Sequence, residues 1–294
     1  MKIIAKKVLW HEDFRGNAGR APTIAYTDAR DPSDARYDWQ PDLGDGSDGP
    51  GPGWGNHEAE YYIDDASALD GSLHGALVIT ATRINERTGP PGWQDRPEWA
   101  YVSGKVTTAR RRSFQYGLLE ARIKTPSERG TWPAFWLLGE GLLYGVPWPD
   151  CGEIDVLETV GSEPDCLFGS LHGPEYAGGG CITRKVTHHA PLSRDFHVYG
   201  VLWLPDSISW FFDGVEYQRI TPADLGGRRW VFDQPFYAII NLAMGGTLGG
   251  ELDPEVNQAR LYVDYVRHCA VQIEPGGLFI GASHAMEHAR TAGD

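Results

Sequence analysis

The strongest constraint on the fold is periodicity. The chain carries almost no sustained apolar repeat at 3.6 residues, and instead runs through short alternating or β-branched segments separated by turn residues. That pattern predicts an all-β protein rather than helices or alternating βα units. The segments that read as strands are residues 77–82, 101–108, 117–124, 134–138, 153–160, 167–172, 197–203, 208–212, 236–242 and 260–268. Ser207–Phe212, followed by Asp213 and Gly214, predicts a hairpin, because Asp-Gly readily takes the positive φ angles of such a turn. Residues 17–56 are rich in Gly, Pro and Asp, and a loop of that length in a compact domain is expected to rim a binding cleft. Residues 1–272 are read as one domain, and 273–294, small and polar, as a flexible tail. Within that tail His284 and His288 have the i, i+4 spacing of a metal pair, with a solvated tail as the plainer reading.

Charge narrows the partners. Forty acidic residues against 26 basic ones give a formal net charge of −14, which repels nucleic acid and anionic membrane surfaces. No apolar run approaches the ~20 residues that span a bilayer. Eleven Trp and 13 Tyr suit the stacking of sugars, although a β-rich core also uses aromatic residues. The four cysteines, Cys151, Cys166, Cys181 and Cys269, have no zinc-ligand spacing, and Cys166 and Cys181 either close a loop disulfide or stay free.

The chemistry concentrates in Trp148-Pro-Asp-Cys-Gly-Glu-Ile-Asp-Val-Leu-Glu158. On a strand, Glu153 and Asp155 share one face while Ile154 and Val156 enter the core. Glu158 is out of phase, and in a regular strand it would point into the interior, where an unpaired carboxylate is costly. One extra residue at Val156 or Leu157 repairs the phase, since a β-bulge re-aims the next side chain. All three acids then face one side. Glycoside cleavage with retention needs a nucleophilic carboxylate and a protonated partner about 5 to 5.5 Å apart. Glu153 reads as the nucleophile and Glu158 as the acid/base, its pKa raised by neighbouring charge, with Asp155 tuning both. Spacing alone allows the two roles to be exchanged, and an acidic edge strand facing water is the competing structural reading.

This segment resembles the laminarinase-like branch of glycoside hydrolase family sixteen, whose signature is Glu-Ile-Asp-x-x-Glu on a bulged strand. Similar pieces occur in the family's order from about Trp10 to Arg267: Asn56-His-Glu-Ala-Glu-Tyr-Tyr62, Gly130-Thr-Trp-Pro-Ala-Phe-Trp-Leu-Leu-Gly139, His172-Gly-Pro-Glu-Tyr176, Asn241-Leu-Ala-Met-Gly-Gly246 and Val263-Asp-Tyr-Val-Arg267. The resemblance implies a jelly-roll β-sandwich of two antiparallel sheets with a concave cleft, and endo-hydrolysis of β-1,3-glucans through a covalent intermediate. It assigns Glu153, Asp155 and Glu158 to catalysis. It also assigns Asn56, Arg83, Trp132, Trp136, Trp148 and His172 to the sugar, with a guanidinium beside Glu153 keeping that carboxylate ionised. Trp132 and Trp136 should share a face while Phe135 enters the core, and Trp203 and Trp210 read as core.

No cofactor is implied for catalysis. A structural calcium is, held by Asp264 and the carbonyl of Gly75. The expected partner is a β-glucan and the expected state a monomer. Mixed-linkage specialists typically lack the bulge residue, so Val156 with Leu157 favours the laminarin type. A β-1,3-1,4-glucanase, a galactan hydrolase, a transglycosylase and a noncatalytic glucan receptor are the alternatives, the last disfavoured by both glutamates being present. Relatives often have Asn-Trp-Pro-Gly where this chain has Thr247-Leu-Gly-Gly250, which removes an aromatic contact at Leu248. Lys2, Lys6 and Lys7 flank only Ile3, Ile4 and Ala5, too short for a signal peptide's apolar region. The expected extracellular location therefore rests on substrate class, with the cytoplasm open.

Overall fold

In the computed structural model residues 2–14, 38–64, 67–70, 75–274, 277–279 and 282–285 are described. Two sheets stack into the expected jelly-roll sandwich, one of eleven strands and one of nine. The larger runs Val215–Ile220, Ser207–Phe212, His197–Leu204, Gly117–Lys124, Gln258–Glu274, Ala76–Arg83, Tyr101–Ser103, Glu60–Tyr62. The smaller runs Ile182–Thr187, Glu163–His172, Glu153–Val160, Thr131–Gly139, Phe236–Met244, Lys105–Thr107, Gln40–Pro41. Pairing is antiparallel except where Glu60–Tyr62 lies parallel to Tyr101–Ser103.

Alternation places one face of each sheet in a common core. Phe135, Leu137, Ile154, Val156, Leu157 and Leu242 meet Leu119, Ile123, Val201, Trp203, Trp210 and Leu261 there, all buried. Burying such side chains, worth about 1.5–3 kcal/mol each, drives the two sheets together.

Each strand expected from periodicity is present, but residues 101–108 divide at Gly104, and the two halves join different sheets. Lys2–Glu12, Ile182–Thr187 and Val215–Ile220 are strands that the pattern did not single out. The last two stand at sheet edges, where exposed charged side chains replace apolar ones. The expectation of an irregular tail is corrected at two places: Gly277–Phe279 pairs with Gln258–Glu274, and Ala282–Ala285 with Arg112–Gln115. A ladder is made by backbone groups, so a small polar segment can join one without an apolar pattern. His288 and residues 17–37 of the long loop lie outside the described residues.

The decisive irregularity is in Glu153–Val160. Against Thr131–Gly139, Leu157 pairs with Phe135 and Asp155 with Trp136, so Val156 is the extra residue; against Glu163–His172 the same shift falls between Asp155 and Glu158. This is the bulge the sequence requires. Val156 and Leu157 both enter the core, and Glu158 returns to the face of Glu153 and Asp155. Trp210, from the other sheet, crosses the core and donates its indole N–H to the Asp155 carbonyl at 2.7 Å, beside the bulge. Trp210→Phe removes the donor together with the five-membered ring, leaving that buried carbonyl unpaired beside a small void. The expected cost is about 1–3 kcal/mol in urea unfolding; an unchanged midpoint would show that the bulge does not depend on this bond.

Candidate active site

The outer face of the smaller sheet, away from the core, collects the predicted residues. Glu153 accepts a hydrogen bond on Oε2 from the Trp148 indole at 2.8 Å, and its Oε1 lies 3.8 Å from His172 Nε2. Trp148 is exposed, its ring centre 6.0 Å from that of His172. Asp155 is buried, with Oδ2 3.1 Å from His172 Nε2. Glu158 accepts from the Trp132 indole at 3.0 Å and from Ser170 Oγ at 3.2 Å. Ser170 lies at 2.9 Å from Thr183 Oγ1. The two glutamates thus share a face but not an environment: one is held by an exposed indole, the other by a part-buried indole and a hydroxyl.

Protons are retained here. Burial raises the pKa of Glu158, the charge of Glu153 adds to it, and Trp132, His172 and Ser170 pull the other way. Burial raises Asp155 well above the usual range, helped by the charges of Glu153 and Glu158. Burial alone would depress His172, but Asp155, Cys181 and Glu153 outweigh it and push the imidazole up to about 12. The Gly178 N–H, however, donates to His172 Nδ1 at 3.1 Å, which requires a lone pair on that nitrogen. The geometry therefore gives His172 Nδ1 the role of acceptor, while Asp155 Oδ2, 3.1 Å from Nε2, is buried without a hydrogen bond.

Trp132 and Trp136 both line this face, with Phe135 in the core between them. Trp136 donates to Asn241 Oδ1 at 2.8 Å, and Asn241 donates to the Tyr62 hydroxyl at 3.0 Å. Asn56 donates to Glu58 at 3.1 Å, and its carbonyl accepts from Thr247, close to Trp132 through Gly246. Arg83 corrects one expectation. Its guanidinium donates to Tyr101 Oη at 2.7 Å and to the carbonyls of Asp253 and Val256 at 2.8 and 3.0 Å, not to Glu153. It sits at the end of a strand in the larger sheet, so it braces the loop before Gln258–Glu274 instead.

Several residues of this face were not foreseen. Ser170 is two residues before His172 on one strand and so shares its face, a signal that alternation carries. Lys105, nearly buried, pairs with Asp42 at 3.0 Å and lies 3.4 Å from the centre of the Trp54 ring. Its partners come from loops, and nothing in the pattern announces them. Glu60 is buried with its pKa raised well above normal by burial and by Glu58, and accepts from the Met244 N–H at 2.7 Å.

The cysteine alternatives resolve as free thiols: Cys166 pairs across from Thr187, while Cys181 lies at the other end of that hairpin beside Ile182, within reach of His172. Glu153, Asp155 and His172 bring ligand atoms within 4.8 Å of one another, so a divalent cation would be attracted to them. The predicted calcium ligands fit less well. Gly75 leads into the strand that pairs with Gln258–Glu274, but the Asp264 carboxylate is already neutralised by Arg122 at 2.7 Å. That arrangement is an ion pair rather than an oxygen cage.

The arrangement can hold one carboxylate ionised and a second one protonated on the same face of a sheet, beside exposed aromatic rings. Ser170 and Trp132 both favour the ionised form of Glu158. In Ser170→Ala the Glu158 carboxyl, followed by carbon-13 NMR, is therefore expected to titrate at higher pH than in the parent; a downward shift would contradict this hydrogen-bond assignment.

Comparison with known proteins places this geometry in a family. The model of the glycosyl hydrolases family 16 matches residues 74–267. A "Beta-glucanase" of Rhodothermus marinus is 39% identical over 238 residues, covering 78% of this chain and 78% of its own. Among solved structures, the catalytic domain of an endo-1,3-beta-glucanase (laminarinase) from Thermotoga petrophila superposes with a TM-score of 0.76 at 32% identity, over 92% of this chain and 99% of that one. The endo-beta-1,3-glucanase of Pyrococcus furiosus gives 0.75 at 36%, over 90% and 95%.

Proposed function

The chain belongs to the glycosyl hydrolases of family 16, and from that premise we propose that it cleaves β-1,3-linked glucans internally, with retention of configuration. The substrate class is supported by the relatives, which are named for glucan and 1,3-beta-glucan hydrolysis. The observation that carries the mechanism is the bulge at Val156, which brings Glu153 and Glu158 to one face in unlike surroundings.

In the first step Glu153 Oε1 bonds to the anomeric carbon as the glycosidic C–O bond breaks. The departing oxygen takes the proton that burial keeps on Glu158. Trp148 holds the other Glu153 oxygen and fixes the carboxylate plane. In the second step Glu158, now ionised, removes a proton from water, whose oxygen attacks the same carbon and releases Glu153. Asp155, whose carboxyl burial and the charges of Glu153 and Glu158 favour in the protonated form, spares the cluster a third negative charge while the two glutamates exchange roles.

Trp148 and Trp132 flank the two carboxylates as sugar platforms on either side of the cut, and Asn56, Trp136 and His172 extend the contact surface. No cofactor takes part. A polymeric substrate supports an extracellular site of action, and a monomer is the state proposed for it.

Incubation with laminarin, lichenan, xyloglucan and agarose, with products sized over time, is expected to give short oligosaccharides from laminarin. No product from any glucan would overturn the assignment. Glu153→Gln and Glu158→Gln should each lower turnover roughly 100-fold or more without loss of the folded state. Proton NMR of the first-formed reducing ends should show the β anomer, and an α anomer would exclude retention.

A further inference from the structure

A second group of chemically competent side chains lies away from the carboxylates, where the edge strand of the smaller sheet ends near a hairpin of the larger one. His188 and His189 follow the edge strand Ile182–Thr187 of the smaller sheet. His197 opens the strand His197–Leu204 of the larger sheet, and Asp213 sits with φ +47° in the predicted Asp-Gly turn after Ser207–Phe212. Four residues from three chain segments of both sheets thus converge.

Their hydrogen bonds select one tautomer. His188 Nδ1 lies 2.9 Å from the Ala190 carbonyl, which can only accept, so Nδ1 carries the proton. His197 Nδ1 lies 2.7 Å from Asp213 Oδ2, and that carboxylate is itself held by the Val198 N–H at 2.8 Å on Oδ1. Both Nδ1 atoms are therefore donors, which leaves Nε2 of each ring as the nitrogen a metal would take in place of a proton. A carboxylate or carbonyl on one ring nitrogen, with the other left basic, is how metal-ligating histidines are oriented.

The spacing agrees. The His188 and His197 ring centres are 5.3 Å apart at an interplanar angle of 70°. Two imidazoles sharing a tetrahedral zinc, each through a nitrogen at about 2.0–2.1 Å, have ring centres roughly 5 Å apart. His189 is exposed, with its ring centre 3.9 Å from that of His188, but it does not complete a three-ligand group with the other two rings. Phe212 packs against His188 and His197, at 5.4 and 5.1 Å between centres, and gives the pair an apolar floor.

We propose that His188 and His197, with Asp213 orienting His197, form a two-histidine binding site for a divalent transition metal of the zinc class, water completing its coordination. The metal would clamp the edge strand of the smaller sheet to the neighbouring hairpin of the larger one. Imidazole donors select zinc, copper or nickel over magnesium and calcium. The site binds metal for stability and is separate from the carboxylate cluster at Glu153.

The test is calorimetric. Zinc at saturating concentration is expected to raise the Tm of the parent by about 3 °C or more, and calcium or magnesium to leave it unchanged at this site. His188→Gln and His197→Gln should each abolish the zinc-dependent rise. Asp213→Asn should weaken zinc affinity about 10–100-fold in isothermal titration. A rise retained in either histidine variant, or none in the parent, overturns the proposal. Should a variant fail to fold, anomalous scattering at the zinc edge from soaked crystals of the parent decides the matter: a peak between the His188 and His197 rings supports the site, and a peak only at Glu153, Asp155 and His172 refutes it.

Discussion

The extra residue at Val156 is the constraint on which the rest of this molecule depends. A strand with strict alternation cannot point residues five apart to the same side, so Glu153 and Glu158 can act together only if one position is skipped. The skip has to be stabilised. Val156 and Leu157 supply it with two successive core side chains, and Trp210 reaches across from the opposite sheet to the carbonyl of Asp155. The kink is therefore held from beneath by the sandwich itself, and the core and the chemistry share the same few residues.

What the kink presents is a controlled excess of negative charge. Three carboxylates on one face would repel one another if all were ionised, and burial adds to that penalty, so the cluster holds on to protons. The surroundings decide where they reside. The indole of Trp148 holds Glu153 near the surface, while Glu158 sits deeper, between Trp132 and Ser170. His172 Nε2 lies 3.1 Å from Asp155, and the ring is aligned by the Gly178 N–H that donates to its Nδ1. Unlike surroundings for like residues follow from burial and hydrogen bonding, without any difference in residue type.

Much of this was legible from the chain. The lack of a helical repeat announced an all-β chain, and the phase error at Glu158 announced the bulge, because a buried unpaired carboxylate is too costly to be the answer. Phe135 between Trp132 and Trp136 followed from alternation in the same way. Arg83 shows where such reasoning stops. A guanidinium near a nucleophile is chemically sensible, but which partner it meets depends on where its strand ends, and that strand belongs to the other sheet. The edge strand Ile182–Thr187 and the segments at 277–279 and 282–285 also escaped, since edges pair through backbone groups that every residue has.

By itself, then, the sequence determined the fold class, the kinked strand and the identity of its three acids, because these rest on local alternation and on the cost of misplacing a charge. Only the tertiary structure decided what surrounds them: Trp210 beneath the bulge, Ser170 and Thr183 beside Glu158, Lys105 over Trp54, and the meeting of His188 with His197. These contacts join residues from different strands and loops. Their distances are set by how two twisted sheets stack, a property of the whole chain that no short segment contains.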